Sequence, residues 1–218
     1  MRDRKNLAAR LKLYLICGEG FTPKENIAKV SAALRGGVTA VQLRVKSWSG
    51  RECFGTALAL KKLCREHGAL LLINDRFDVA MAAGADGVHL GQSDLPVDAA
   101  RRVAGPDFII GGTARTPELA REAQLLGADY VGCGAAFGTA TKKDVLVIGP
   151  EGIKKALAPI EIPSVAIGGI DSANIARLVG CGACGAALSG SLMNAEDTEK
   201  AARELLAEAE RTFPRPSK

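Results

Sequence analysis

Eight times along its length the sequence passes from a short apolar stretch, through a polar or Gly-rich turn, into a segment with helical periodicity. The apolar stretches are Lys12–Cys17, Ala40–Arg44, Leu70–Asn74, Gly87–Leu90, Phe108–Gly112, Tyr130–Cys133, Ser164–Gly168 and Gly185–Leu188. Helices are predicted at Pro23–Arg35, Gly50–His67, Arg76–Ala83, Pro96–Ala104, Thr116–Leu126, Pro150–Leu157, Ser172–Val179 and Ala195–Arg211. Pro23, Pro96, Pro117 and Pro150 fall near helix starts, where a missing N–H costs nothing. The returns from helix to strand resemble one another: Arg35-Gly36-Gly37-Val38-Thr39-Ala40, Ala83-Gly84-Ala85-Asp86-Gly87, Leu126-Gly127-Ala128-Asp129-Tyr130 and Cys181-Gly182-Ala183-Cys184-Gly185. Gly there supplies a left-handed helix C-cap and a short turn into the next strand. Strands separated by helices pair in parallel, and closure covers every sheet edge. An open doubly wound sheet usually carries Gly-x-Gly-x-x-Gly after its first strand, and none stands there. The expectation is a single α/β domain over residues 1–218, a (β/α)8 TIM barrel, with 1–10 as lead-in and 212–218, which holds Pro214 and Pro216, as a frayed tail. Its active site belongs at the C-terminal ends of the strands.

Composition narrows the partners. A chain of 218 residues with 47% hydrophobic content can bury one substantial core. The formal charge of +5 suits small acidic substrates, but Lys and Arg form no run and the 4% of aromatics do not interleave with them. That argues against a nucleic-acid partner. Arg10 and Lys12 interrupt the apolar stretch near the start, which is too short for a signal peptide, and no stretch is long enough to span a bilayer. The expected location is therefore the cytoplasm, with no membrane partner; whether the chain forms a homo-oligomer is not legible. Six cysteines at apolar or helical positions are expected to be buried free thiols. Cys181-Gly-Ala-Cys184 lies between a helix end and a strand with no second pair, so it reads as structural.

The polar residues collect where strands end. In Gln42-Leu43-Arg44-Val45-Lys46, alternation sends Gln42, Arg44 and Lys46 to one side. In a barrel that side is the interior, and interior cations are costly without anions, which points to a phosphate or diphosphate site. Asp75 and Asp94 follow adjacent strands. Asp75 is either the N-cap of the next helix or, with Asp94, a Mg2+ ligand beside the cations. His89 reads either as a general acid or base or as a hydrogen-bonded barrel histidine, and His67 as a partner of a helix C-terminus. The loop Gly134–Lys143 is flexible, hydroxyl-rich and basic, suited to closing over a phosphate-bearing ligand. Ile167-Gly168-Gly169-Ile170 and Leu188-Ser189-Gly190-Ser191 end the last two strands, and their backbone N–H groups suit a second phosphate. Two anion sites on one barrel mouth point to joining or cleaving phosphorylated small molecules.

Over about Leu13 to Asp197 the chain resembles the thiamine-phosphate synthase (thiamine-phosphate pyrophosphorylase) family. The likeness is carried by Gln42-Leu43-Arg44-x-Lys46, Asn74-Asp75-Arg76, His89-Leu90-Gly91-Gln92-x-Asp94, Thr139-x-Thr141-Lys142 and Ile167-Gly168-Gly169-Ile170. The resemblance implies a transferase that condenses a hydroxymethylpyrimidine diphosphate with a thiazole phosphate, releasing diphosphate before the thiazole nitrogen attacks. It implies that Gln42, Arg44, Lys46, Asn74, Thr113 and Lys142 hold the pyrimidine diphosphate, with Arg44, Lys46 and Lys142 stabilising its departure. Asp75 and Asp94 would bind Mg2+, and Thr139, Thr141, Gly169, Ser189 and Gly190 the thiazole phosphate. The chain departs from the family pattern at Val45, at Thr113-Ala114-Arg115 and at Gly190-Ser191. Two other readings are a thiazole tautomerase of the same superfamily and an inactive barrel that binds thiamine intermediates as a regulator.

Overall fold

The structure, a computed structural model, describes residues 6–138 and 146–213. Eight parallel strands close into a barrel in sequence order, β1 to β8, with β8 pairing back onto β1. They are β1 Leu13–Gly18, β2 Ala40–Arg44, β3 Leu70–Asn74, β4 Gly87–Leu90, β5 Ile109–Ala114, β6 Tyr130–Gly134, β7 Ser164–Ile167 and β8 Gly185–Leu188. The α-helices are α1 Leu7–Arg10, α2 Pro23–Arg35, α3 Gly50–Glu66, α4 Phe77–Ala82, α5 Val97–Ala104, α6 Pro117–Leu125, α7 Gly149–Leu157, α8 Gly190–Met193 and α9 Thr198–Thr212.

Local chemistry explains the helix starts. Thr22 and Ser49 each form a capping box, with Glu25 and Glu52 returning a hydrogen bond to the cap backbone. Asp197 accepts from Lys200 N at 2.9 Å, so α9 begins three residues later than Ala195. The helix expected over Ser172–Val179 is only a 3-10 turn, Ile175–Leu178. Asn174 and Asp171 spend their side chains on loop backbone there, which holds the preceding residues out of helical geometry. Strand β7 stops one residue short of Gly168, whose φ of 100° leaves the extended region. Thr212 and Phe213, expected in the tail, are buried, and 214–218 lie outside the described residues.

Strand alternation sorts the apolar side chains into two cores. Leu15, Val41, Leu43, Leu71, Ile73 and Val131 face outward into a continuous layer beneath the helices. Tyr14, Ala40, Leu70, Leu72, Tyr130 and Val165 face inward and fill the barrel axis. Leu7 and Leu11, from α1 and the residue after it, belong to this inner core and stopper the barrel at its N-terminal end. Depth therefore sets chemistry along the axis: apolar below, polar above. Among the described residues no helix is long and apolar enough to cross a membrane.

Candidate active site

The C-terminal mouth opens on a cavity of about 480 Å³. Arg44, Asn74 and Thr113, at the ends of β2, β3 and β5, line one side of it. Gly168, Gly169, Ser189 and Gly190, after β7 and β8, line the other. Parts of both expected anion sites thus border one chamber, while Gln42, Lys46, Asp75 and Asp94 are not in its lining.

The side-chain end is built as alternation demands. Leu43 and Val45 join the outer core, while Gln42 and Arg44 turn inward. Lys46 is exposed, and its Nζ lies 3.6 Å from Asp75 Oδ2. Its backbone N–H donates to Glu19 Oε2 at 2.8 Å, and this bond, with one from Ser47, holds the Glu19 carboxyl below its usual range. Gln42 lies deeper than the sequence implied. It is buried, and its Nε2 donates to the Tyr14 hydroxyl at 2.7 Å.

Asp75 does not cap the following helix. Arg76 occupies the cap position, no side chain caps it, and Asp75 itself sits at φ 59°, the sole non-glycine with positive φ among the described residues. Its carboxylate comes within hydrogen-bonding reach of Asp94. Burial, then the hydrogen bond and charge of Asp94, push the Asp75 carboxyl above the usual range, with Lys46 and Arg44 pulling it back. Asp94 Oδ2 also accepts from Gly91 N at 2.7 Å, which fixes its turn. Two carboxylates pressed together against a strained backbone suit a divalent cation, which would relieve their repulsion. Among the described residues no group of three or more His, Cys, Asp or Glu forms a metal cluster. A carboxylate pair is nonetheless what Mg2+ takes when substrate phosphate and water complete its shell.

The opposite end is made of backbone. Gly169 has φ 63°, and a Cβ there would lie 2.3 Å from the Gly138 carbonyl oxygen. Only glycine fits that approach. Asn174 Nδ2 donates to the Gly169 carbonyl at 2.8 Å and so orients the turn. Ser191 also lines the cavity, and its buried hydroxyl has no protein partner among the described residues. The segment entering the loop after β6 is braced by Phe137 N donating to Gly168 O at 3.0 Å and by Arg177 over the Phe137 ring at 5.1 Å. Thr139, Thr141 and Lys142 lie outside the described residues.

Sequence reasoning missed the floor between the ends. Tyr14 and Tyr130 meet hydroxyl to hydroxyl at 2.9 Å, and Tyr130 Oη is 2.9 Å from His89 Nδ1. The other nitrogen, Nε2, is 2.9 Å from Thr113 Oγ1. His89 is thus a hydrogen-bonded barrel histidine, and burial pulls its pKa down to about 4. The signal lay in the glycines: a Cβ on Gly111 would lie 2.2 Å from the Tyr130 ring, and one on Gly132 would lie 3.1 Å from His89. Arg115 also reaches the cavity wall. His67 ends α3, with Nδ1 3.0 Å from Leu63 O. All six cysteines are free, and burial raises the Cys181 and Cys184 thiols, which fits structural roles.

Comparison with known proteins settles the family. The model described as thiamine monophosphate synthase matches residues 13–192. The chain belongs to the thiamine monophosphate synthase family. The thiamine-phosphate synthase of Pyrococcus horikoshii is 44% identical over 200 residues, covering 92% of this chain and 95% of that one. The thiamine-phosphate synthase of Chlorobium luteolum is 46% identical over 196 residues, covering 89% and 91%. A solved structure of thiamine phosphate pyrophosphorylase from Pyrococcus furiosus superposes with a TM-score of 0.88 at 41% identity, covering 95% of this chain and all of that one.

Proposed function

We infer that this chain is a thiamine-phosphate synthase: it joins 4-amino-2-methyl-5-(diphosphooxymethyl)pyrimidine to 4-methyl-5-(2-phosphoethyl)thiazole, giving thiamine phosphate and diphosphate. The observation that carries the reading is the one cavity lined by Arg44, Asn74 and Thr113 on one side and by Gly168, Gly169 and Gly190 on the other. Arg44 and Lys46, joined by Lys142, bind the diphosphate and stabilise the charge that grows as it leaves. Asn74 and Gln42 orient the pyrimidine, and Thr113 reaches the same substrate. Asp75 and Asp94 would hold Mg2+, which when bound offsets the diphosphate charge. Backbone N–H groups at Gly169, Ser189 and Gly190 hold the thiazole phosphate, and the family resemblance assigns Thr139 and Thr141 to the same substrate. Holding both partners in one chamber supplies the alignment that a substitution at the pyrimidine methylene needs. Free thiols throughout suit a reducing compartment, in keeping with a cytoplasmic enzyme.

A thiazole tautomerase needs no diphosphate–Mg2+ site, yet this chain retains Asp94 and the Gln42, Arg44 and Lys46 set. The test is incubation of both phosphorylated precursors with Mg2+. Thiamine phosphate and diphosphate are expected in equal amounts; isomerisation of the thiazole alone, or no product, would overturn the assignment.

A further inference from the structure

Five side chains from five strands form an unbroken hydrogen-bonded row across the barrel: Gln42 on β2, Tyr14 on β1, Tyr130 on β6, His89 on β4 and Thr113 on β5. Four contacts of 2.7 to 2.9 Å link them. The row lies beneath the cavity, touching it at His89 and Thr113. Its members have limited hydrogen-bonding capacity, and counting that capacity fixes where each proton sits.

The count starts at Gln42, whose amide nitrogen can only donate. Tyr14 Oη accepts that bond, so its single proton goes to Tyr130. Tyr130 Oη accepts from Tyr14, so its own proton goes to His89 Nδ1. A nitrogen that accepts is bare; the imidazole is therefore neutral and carries its proton on Nε2. Nε2–H donates to Thr113 Oγ1. The Thr113 oxygen is thereby used as an acceptor, and among the described residues its hydroxyl has no second partner. The remaining proton is free for a ligand in the cavity that Thr113 lines.

We propose that this row is a proton-ordered relay of hydrogen bonds that holds His89 as the Nε2–H tautomer and leaves the Thr113 proton free to donate to the substrate. Gln42, Tyr14, Tyr130 and His89 are positioning residues, acting through Thr113. The fold makes room for them: Gly111, paired with both His89 and Tyr130 across the sheet, clears the Tyr130 ring, and Gly132 clears His89. A hydroxyl whose proton is not spent inside the protein is free to donate to an oxyanion. The relay thus keeps one hydroxyl proton available, at this point of the wall, for an ionised phosphate oxygen. This deepens the synthase reading, since it rests on Thr113 facing the pyrimidine diphosphate.

The sequence holds two histidines, so labelled imidazole nitrogens can be assigned by nitrogen-15 NMR in the intact, ligand-free protein. Wild type should show His89 protonated on Nε2 and bare on Nδ1, and Tyr130→Phe should release it into a mixture of tautomers. A wild-type Nδ1–H tautomer would mean the row runs the opposite way and would overturn the proposal without touching the synthase reading. Kinetics test the consequence. Thr113→Val should lower kcat about five- to tenfold, the worth of one hydrogen bond, and Thr113→Ser should restore it. Tyr130→Phe should cost a similar factor in wild type and nothing further in the Thr113→Val background. Losses that multiply would overturn the coupling, and a silent Thr113→Val would overturn the donor role. Failure of the synthase reading itself would appear separately, as absence of thiamine phosphate from wild type.

Discussion

The two sides of the barrel mouth are built from different material. Around β2, β3 and β4 the working groups are charged side chains, Arg44, Lys46, Asp75 and Asp94, mutually adjusted by charge and burial. Around β7 and β8 they are backbone groups presented by Gly168, Gly169 and Gly190, with side chains only at the margin. The first end draws strength from charge and changes when a charge changes. The second depends at Gly168 and Gly169 on conformations that only glycine adopts without strain, so a side chain at either disturbs it. A diphosphate that must depart calls for charge stabilisation that grows in the transition state, whereas a phosphate that stays attached needs only a seat.

If that division holds, the largest effect comes from Arg44→Ala. Turnover should fall by about 2–4 kcal/mol of barrier with the thiazole-phosphate Michaelis constant nearly unchanged, as steady-state kinetics would show. A variant that raised only that constant would place the cation at the wrong end.

Asp75→Asn and Asp94→Asn should each raise the Mg2+ concentration for half-maximal activity by at least about tenfold, with circular dichroism unchanged. Unaltered Mg2+ dependence in both would remove the metal from this pair.

The glycine end can be graded within itself. Gly169→Ala meets the Gly138 carbonyl and sits at φ 63°, so the thiazole-phosphate Michaelis constant should rise roughly tenfold from left-handed strain alone. At Gly190 the nearest atom to an added Cβ is Asn194 Nδ2 at 3.4 Å, an ordinary contact. Gly190→Ala should therefore cost much less. Calorimetry with the pyrimidine diphosphate and Mg2+ should register neither change; loss of that ligand in Gly169→Ala would mean the two ends are swapped.

The last effect is on stability rather than turnover, and concerns the floor the two ends share. Burial lowers the pKa of His89 from 6.5 to about 4, so between those values the unfolded chain binds a proton that the folded chain refuses. The residue's contribution to stability is complete above 6.5 and is lost as pH falls toward 4, at no more than about 1.4 kcal/mol per pH unit. Thermal melts of His89→Gln against wild type should converge as pH drops through that window. Parallel curves would mean that His89 titrates alike in both states.

The barrel was legible because its signals are local. Ala40–Arg44, Leu70–Asn74, Gly87–Leu90 and Gly185–Leu188 have the bounds that their apolar runs predicted, and alternation alone put Arg44 on the cavity side. The hydroxyl row was not legible. Alternation says that Tyr14 points inward, but not that Tyr130, 116 residues away, meets it there; that depends on how eight strands are staggered around the axis. Gly111 and Gly132 looked like ordinary strand glycines until the rings they clear were in place. The 3-10 turn at Ile175–Leu178 was hidden for a similar reason. Its helical periodicity is real, but Asn174 is committed to the Gly169 carbonyl in the turn after β7.

The stopper formed by Leu7 and Leu11 sits at the far end from the chemistry, yet it sets the electrical conditions there. With that end sealed, the medium beneath Thr113 is hydrocarbon and hydroxyl rather than solvent, and fields from Arg44 and Asp75 are little screened from below. A polar substitution at Leu11 that admitted water along the axis would weaken those fields without moving any atom that touches substrate. The plug is thus insulation as well as packing.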